Sequence, residues 1–150
     1  MPTIRDALPA DLPTIVEFNR ALALESEGKQ LNLDVLKAGV ERALSSPALC
    51  RYFVAEEDGQ VVGQTMLTYE LTDWRDGLIY WIQSVYVHPE YRGRGVYKAI
   101  YRHIVALGKR AGDMHGLRLY VEKDNAKAIA TYERLGMRQS HFHIYETAVD

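Results

Sequence analysis

The chain has 150 residues, of which 47% are hydrophobic and 25% are charged, and its formal net charge is −2. This length suits a single core, so we expect one domain over residues 1–150. The small net charge argues against general binding of nucleic acid or of anionic membranes. A lone cysteine, Cys50, excludes an intrachain disulfide, and we recognise neither a membrane-length apolar run nor a secretory leader. We therefore expect a cytoplasmic protein.

Hydrophobic periodicity and turn residues predict elements in the order β-α-α-β-β-β-α-β-α-β. The first half is predicted to contain a strand, two helices and two strands, over residues 3–7, 9–25, 33–46, 51–57 and 60–70. The second half is predicted to alternate strand and helix, over residues 78–87, 96 to about 112, 117–122, 125–135 and 138–146. This order predicts an α/β (α+β) fold with a mixed, mostly antiparallel twisted sheet that helices flank.

The connections between the predicted strands indicate how they pair. Asp58-Gly59 separates two of them, and Asp-Gly favours a tight hairpin because both turn positions adopt positive φ. The strand, helix and strand from about 78 to 122 require a parallel crossover. If these two strands are neighbours that diverge at their carboxyl ends, a ligand crevice forms between them.

The string YRGRGVYKAIY, residues 91–101, joins a predicted strand to a predicted helix. The first turn of a helix presents free N–H groups and the positive end of the dipole, so it attracts phosphate. Gly93 and Gly95 permit close approach of an anion, and Arg92 and Arg94 add charged donors. The string is neither a P-loop nor a dinucleotide fingerprint, which would need a third glycine. Taken alone, it fits a solvated turn equally well.

A second group of residues belongs to the next predicted helix. Asn125 stands at the start of this helix, and Tyr132 lies two turns further along. Both side chains are predicted to face the same crevice. Asn125 suits a simple helix cap as well as a ligand contact, and the alternative for Tyr132 is a core aromatic.

With both groups in view, the chain resembles the GNAT family of N-acetyltransferases over essentially its whole length. The family's cofactor motif, Q/R-x-x-G-x-G/A, matches residues 92–97, which follow the string SVYVHPEY. The second motif of the family, an Asn, an Ala, a Tyr and a Gly-Phe pair, matches Asn125, Ala128, Tyr132 and Gly136-Met137. One departure is Tyr97, which stands where the family has a small residue.

This resemblance implies acetyl-CoA as co-substrate, no metal, and direct transfer of the acetyl group to a primary amine of a small molecule or peptide. The residues it implies for cofactor binding are Val85, Tyr86, Val87, Arg92, Gly93, Arg94, Gly95, Val96, Tyr97, Asn125 and Tyr132. Backbone amides of 92–97 would bind the pyrophosphate, and the backbone of 85–87 would pair with the pantetheine arm and supply an oxyanion donor. Tyr132 would protonate the departing thiolate, and Asn125 would contact the pantetheine.

Direct attack needs a neutral amine, so we expect a group that accepts the ammonium proton. Glu70, near a strand end, is the first choice, and a solvated strand end is the alternative. Further candidates for substrate binding are Glu25 and Glu27, in the predicted loop after the first helix, together with Trp74 and Trp81. Packing is the commoner role of such tryptophans. Acidic residues gathered at the mouth would favour a cationic acceptor, such as a polyamine, an aminoglycoside or a lysine-like amine.

His141 and His143 share one face of the predicted last strand. A metal site would need a third ligand, and none has the expected spacing, so a pH-sensitive or interface surface is preferred. By analogy, this strand suggests a homodimer contact. The alternative function is an acyl-CoA-binding regulatory module without catalysis, which the bulky Tyr97 leaves open.

Overall fold

The computed structural model describes residues 1–149 and divides into two compact units, Met1–Tyr120 and a smaller one that begins at Val121. In the first unit the strands are β1 (Thr3–Asp6), β2 (Cys50–Glu57), β3 (Gln60–Thr72), β4 (Gly77–Val87) and β5 (Met114–Arg118). The helices of this unit are α1 (Leu12–Glu27), α2 (Leu33–Leu44) and α3 (Val96–Ala111). The second unit contains α4 (Ala126–Arg134). Within the residues described, no helix has both the length and the apolar character needed to cross a membrane.

The strands form one sheet in the order β1-β2-β3-β4-β5. The first three pairs are antiparallel, and β4 and β5 are parallel. Asp58 and Gly59 between β2 and β3 have φ of 52° and 76°, the pair of positive values that the hairpin turn requires. The predicted mixed, mostly antiparallel sheet and its hairpin are therefore confirmed.

Helices cover both faces of this sheet in the first unit. Successive residues of β2 point to opposite sides. Val54 packs with Ile15 of α1 and Val40 of α2. Phe53 instead lies edge-on to His103 of α3, with ring centroids 5.2 Å apart. The hairpin of α1 and α2 is thus on one face and α3 on the other.

A glycine in β3 allows the start of α3 to pack closely on the sheet. A Cβ atom added to Gly63 would lie 3.0 Å from Cγ1 of Val96, the first residue of α3. Only glycine lets the start of the helix rest so closely on the strand. Because Gly63 pairs with Val87 at the end of β4, the start of α3 lies beside the carboxyl end of β4.

The prediction that Glu25 and Glu27 lie in a loop is wrong, because both belong to α1. The segment after Arg20 contains no proline or glycine until Gly28, so nothing interrupts the helix. Gly28 ends it with a left-handed φ of 63°.

Two predicted strands also differ from the structure. The strand predicted over 117–122 is found at Met114–Arg118, because its pairing with β4 runs only from Leu78↔Met114 to Trp81↔Arg118. Residues 138–146 do not form the predicted last strand. Within the described chain no ladder partner is assigned to them, and Phe142 and Tyr145 are 60% and 92% exposed. β propensity does not hold a segment extended unless a neighbouring strand pairs with it.

Asp11→Asn is expected to lower the free energy of unfolding by about 1–2 kcal/mol at pH 7. Asp11 accepts two hydrogen bonds from Arg5, at 2.8 and 3.1 Å, and one from the Leu8 N–H at 2.7 Å. The Arg5 guanidinium holds the pKa of the Asp11 carboxyl below its usual value, although burial opposes this. A lowered folded pKa stabilises the protein above the unfolded pKa of about 3.9, and this stabilisation disappears as the pH falls through the folded value.

Urea denaturation between pH 7 and pH 3 measures this effect, and the gap between wild type and variant should shrink as the pH falls. Glu17→Gln is the matched control, because Glu17 forms an exposed ion pair with Arg20. Its loss should cost about 0–0.5 kcal/mol. Equal losses in the free energy of unfolding for the two variants would show that the buried ion pair of Asp11 stabilises the protein no more than the exposed ion pair of Glu17.

Candidate active site

A β-bulge interrupts β4 at Ser84. Gln64 pairs with Tyr86 and Met66 pairs with Gln83, so two residues of β4 oppose one residue of β3. Ser84 has a left-handed φ of 53°, which is uncommon for a side chain other than glycine. Bulges of this kind bend a strand and occur often beside active sites.

Buried side chains of β3 hold the bulge in place. The Thr65 hydroxyl donates to the Gln83 carbonyl at 3.0 Å, and the Gln64 amide donates to the Ser84 carbonyl at 3.1 Å. Both β3 residues are fully buried. These bonds satisfy carbonyls that the interrupted ladder cannot pair, so the bulge has one defined conformation.

One edge of β4 is open after the bulge. The parallel pairing with β5 ends at Trp81↔Arg118. In the first unit, residues 82–87 therefore have no assigned ladder partner on that side. The end of this pairing leaves the backbone of Val85 and Tyr86 at an edge of β4 that has no assigned partner in the first unit. The carbonyl of Val87 accepts a hydrogen bond from Arg92 Nε at 2.9 Å.

The glycines of the RGRG string form a cradle before α3. Gly93 and Gly95 have φ of 77° and 81°, and a Cβ atom added to either would meet no atom within 4 Å. The N–H groups in the first turn of α3 have no partner inside the helix. Tyr97 does not fill this space, because its side chain lies on the buried face of α3 and is 8% exposed. The cradle therefore has the shape and the donors of an anion site.

The two arginines of the string lie in different places. Arg92 pairs with Glu25 of α1 at 3.1 Å and lies 5.1 Å above the Tyr86 ring. Burial, followed by the Glu25 carboxylate, raises the pKa of Tyr86 to about 12. Arg94 lies 5.0 Å above the Tyr91 ring on the surface. Arg92 thus ties α1 to the end of β4, a role that the sequence did not reveal.

Glu70 is part of a bridge between strands. One carboxylate oxygen accepts from the Trp81 indole at 2.9 Å, and the other accepts from Arg118 at 3.2 Å. The residue lies about 17 Å from the bulge, at about 3.4 Å per residue along β3. Trp74 is 94% exposed in the turn between β3 and β4, at the opposite end of β4 from the bulge.

A cavity of about 350 Å³ lies among α1, α2 and the sheet. Its apolar lining includes Leu22, Ala23, Leu36, Val40, Ala43 and Met66. Three polar residues, Asn19, Tyr52 and Ser84, also line it, and so does Glu27. Because Ser84 is the bulge residue, the cavity reaches the place where the open edge of β4 begins.

The polar lining of the cavity belongs to a buried network that sequence reasoning missed. Asn19 donates to the Tyr52 hydroxyl at 2.9 Å, and Gln64 donates to the Asn19 carbonyl at 3.2 Å. Ser84 also hydrogen-bonds Tyr52, whose pKa burial raises. The available signal was the presence of polar residues between core positions, such as Asn19 next to Phe18 on a face that is otherwise buried.

In the second unit, Asn125 and Tyr132 lie on one helix. The Asn125 side chain accepts from the Ala128 N–H at 3.2 Å, so it caps α4. Tyr132 is half-buried, and burial raises the pKa of its hydroxyl. His141 and His143 follow in an exposed segment, and among residues 1–149 no group of three or more His, Cys, Asp or Glu side chains could hold a metal ion.

The acetyltransferase (GNAT) family model matches residues 17–137 of the chain. The chain belongs to this family. An L-methionine sulfoximine/L-methionine sulfone acetyltransferase of Salmonella typhimurium is 31% identical over 143 residues, which cover 89% of this GNAT chain and 78% of that enzyme. Family and relative together make this protein an acyl-CoA-dependent acetyltransferase.

Solved structures show the same fold. A possible acetyltransferase from Clostridium difficile 630 is 43% identical and has a TM-score of 0.94 over 100% of this GNAT chain and 99% of its own. A predicted acetyltransferase with acetyl-CoA from Clostridium acetobutylicum has a TM-score of 0.77 at 19% identity, over 98% and 96% of the two chains. The latter likeness concerns the fold alone.

Thr65→Val is expected to lower the free energy of unfolding by about 1–3 kcal/mol, because it leaves the buried Gln83 carbonyl without a donor while keeping the side-chain shape. Urea denaturation measures the loss. Thr68→Val is the control, since the half-buried Thr68 hydroxyl accepts from the Gln83 amide, which can turn to water. A loss no larger than that of the control would mean that Thr65 does not hold the bulge.

Proposed function

We propose that this GNAT enzyme transfers an acetyl group from acetyl-CoA to the primary amine of a small molecule by direct attack. The observation that carries the proposal is the junction of the open β4 edge with the glycine cradle, both in the first unit. An edge that offers unpaired backbone groups and a helix start that attracts phosphate together suit a thioester with a long amide arm and a pyrophosphate.

The cradle is proposed to hold the pyrophosphate. The space beside Gly93 and Gly95 is open, and the N–H groups of Val96 and Tyr97 begin α3 there. The exposed Arg94 adds a mobile charge, whereas Arg92 contributes its backbone because its guanidinium binds Glu25 and Val87. In this proposal the pyrophosphate binds mainly to backbone N–H groups, whose positions do not depend on side-chain conformation.

The open edge of β4 is proposed to bind the pantetheine arm and the thioester. Val85, Tyr86 and Val87 would pair with the arm, and a backbone N–H at the bulge would donate to the thioester oxygen as its charge increases. The rigid bulge keeps that donor in position before the reaction starts. Since Oδ1 of Asn125 caps α4, the amide nitrogen is the atom with which Asn125 would contact the arm.

The chemical step is proposed to need one proton donor. The lone pair of the amine forms the N–C bond, the C–S electron pair leaves with sulfur, and Tyr132 protonates that sulfur. The proton lost by the nitrogen passes to water, and solvent returns a proton to the Tyr132 phenolate, which restores the donor. Burial raises the pKa of Tyr132, so its hydroxyl keeps its proton at neutral pH.

The proposed acceptor is a small amine in its neutral form. Both oxygens of Glu70 already accept hydrogen bonds, and Glu25 pairs with Arg92. Neither carboxylate is therefore well placed as a dedicated base. The relative that acts on L-methionine sulfoximine and L-methionine sulfone supports a small molecule with an amino group, rather than a protein chain, as the acceptor.

Gly95→Ala is expected to weaken acetyl-CoA binding about tenfold or more, because the added methyl occupies the cradle and the helix start must carry a strained left-handed alanine. Gly112→Ala is a closely matched control. Gly112 has the same φ of 81°, has the same open surroundings and ends the same helix.

Thermal shift with acetyl-CoA, CoA and ATP compares the two variants. Both should melt below the wild type, but only Gly95→Ala should lose the shift that acetyl-CoA and CoA produce. Equal acetyl-CoA affinity in the two variants, or a wild type that ATP stabilises and CoA does not, would contradict a CoA cradle at this loop.

Tyr132→Phe is expected to lower kcat about 100-fold and to change acetyl-CoA affinity much less, because a proton donor acts in the transition state. Wild-type kcat should persist up to the raised pKa of the tyrosine and fall above it. Release of CoA thiol with an amine measures kcat, and calorimetry measures affinity. Tyr145→Phe, which removes a phenol that is 92% exposed, should leave both unchanged. A Tyr132 variant with full kcat would remove this residue from the mechanism.

A further inference from the structure

The cavity between α1 and α2 follows one face of each helix. Asn19, Ala23 and Glu27 line it at intervals of four residues along α1. These positions span about 12 Å of helix, at about 1.5 Å per residue. The inner end, at Asn19, is polar and meets the β4 bulge, and the middle is apolar. The cavity is therefore elongated and leads away from the proposed acetyl position. It is open to solvent along part of its length, where Glu27, Leu31 and Gly39 are exposed, and we refer to it as the channel.

A glycine in the middle of α2 has no structural need that the fold reveals. Gly39 is in the middle of the helix, is exposed like its neighbour Ala38, and lines the open side of the cavity, and its φ is not positive. A Cβ atom there would meet no atom within 4 Å. Glycine at such a position weakens a helix relative to alanine. The absence of a side chain at Gly39 leaves the solvent-open side of the cavity unobstructed.

The channel carries no charge at its inner end. Asn19, Tyr52 and Ser84 are the polar groups there, and burial raises the pKa of the Tyr52 hydroxyl, which stays neutral. Glu27, at the other end, pairs with Lys29 at 3.4 Å. An apolar wall with uncharged hydrogen-bonding groups disfavours an ammonium and accommodates the neutral amine, which is the form that attacks.

We infer that this channel is the acceptor site and that it selects primary amines carried on an uncharged apolar chain. The amine lies at the inner end beside Tyr52 and Ser84, and the chain runs past Ala23, Gly39 and Val40. This inference rests on the proposed acetyl transfer. A longer acyl group is the competing occupant. The side chains of Asn19, Tyr52 and Ser84 at the inner end already hydrogen-bond within the protein, but the two hydroxyl oxygens can accept a further bond, which suits an amine rather than a hydrocarbon.

Ethylamine, butylamine and hexylamine test the inference as acceptors with acetyl-CoA. With the wild type, kcat/KM should rise about fourfold for each methylene that the channel buries. Gly39→Leu fills the channel. In this variant kcat/KM should no longer rise with chain length, and kcat/KM for hexylamine should fall about tenfold or more. The variant should melt no lower than the wild type, because leucine favours the helix, and its acetyl-CoA affinity should not change.

Ala38→Leu is the matched control, because it adds the same side chain at the neighbouring exposed position of α2, outside the cavity lining. It should leave the amine series unchanged. A wild type without chain-length dependence, or a Gly39→Leu variant with wild-type dependence, would overturn the inference. A Gly39→Leu variant that changes the preference between acetyl-CoA and hexanoyl-CoA but not between amines would assign the channel to the acyl group instead.

Two negative outcomes can be distinguished: the protein transfers no acetyl group, or it transfers one to an amine that does not occupy the channel. Thermal shift with acetyl-CoA reports cofactor binding, thiol release with ethylamine reports the transfer, and neither requires the apolar part of the channel that longer amine chains would occupy. If no amine releases thiol, calorimetry of hexylamine with the CoA-saturated protein still tests the site. Binding that Gly39→Leu weakens and Ala38→Leu does not would support the channel, and equal or undetectable binding would reject it.

Discussion

The left-handed conformation of Ser84 is the constraint on which the active-site region depends. A side chain in this backbone region costs about 1–3 kcal/mol and persists only where its surroundings fix it. The buried donors of Gln64 and Thr65 supply that support by binding the carbonyls on either side. Pairing of β4 with β5 ends at Trp81, before the bulge. The bulge therefore lies where the open edge of β4 meets the inner end of the cavity.

The sequence correctly predicted those elements whose conformation depends on the backbone preferences of a few neighbouring residues. The Asp58-Gly59 turn and the start of α3 at Val96 follow from backbone preferences of a few residues. The bulge could not be predicted, because Ser84 has no intrinsic preference for positive φ and adopts it through contacts with another strand. The extent of β5 and the absence of a strand over 138–146 likewise depend on which segments find a partner, and sequence patterns do not specify the partner.

The functional residues show the same division. Gly95 has a positive φ at the start of α3, a backbone feature that the local sequence favours, and its role in cofactor binding stays a proposal. Glu70 and Glu25 illustrate the opposite case. A sequence shows that a carboxylate is present but not that an arginine from a distant segment already binds it, as Arg118 and Arg92 do here. Assigning acid–base roles to carboxylates therefore requires the tertiary structure.

Helix α1 connects the two halves of the proposed reaction. Glu25 on this helix holds Arg92, which lies at the cofactor loop, and Ala23 two positions earlier lines the channel. A ligand that shifts α1 on entering the channel would also strengthen or weaken the ion pair between Glu25 and Arg92. Thermodynamic linkage then makes the effect reciprocal: the factor by which one ligand alters the affinity of the other is the same in both directions. The coupling between the two substrates would then depend on this one salt bridge.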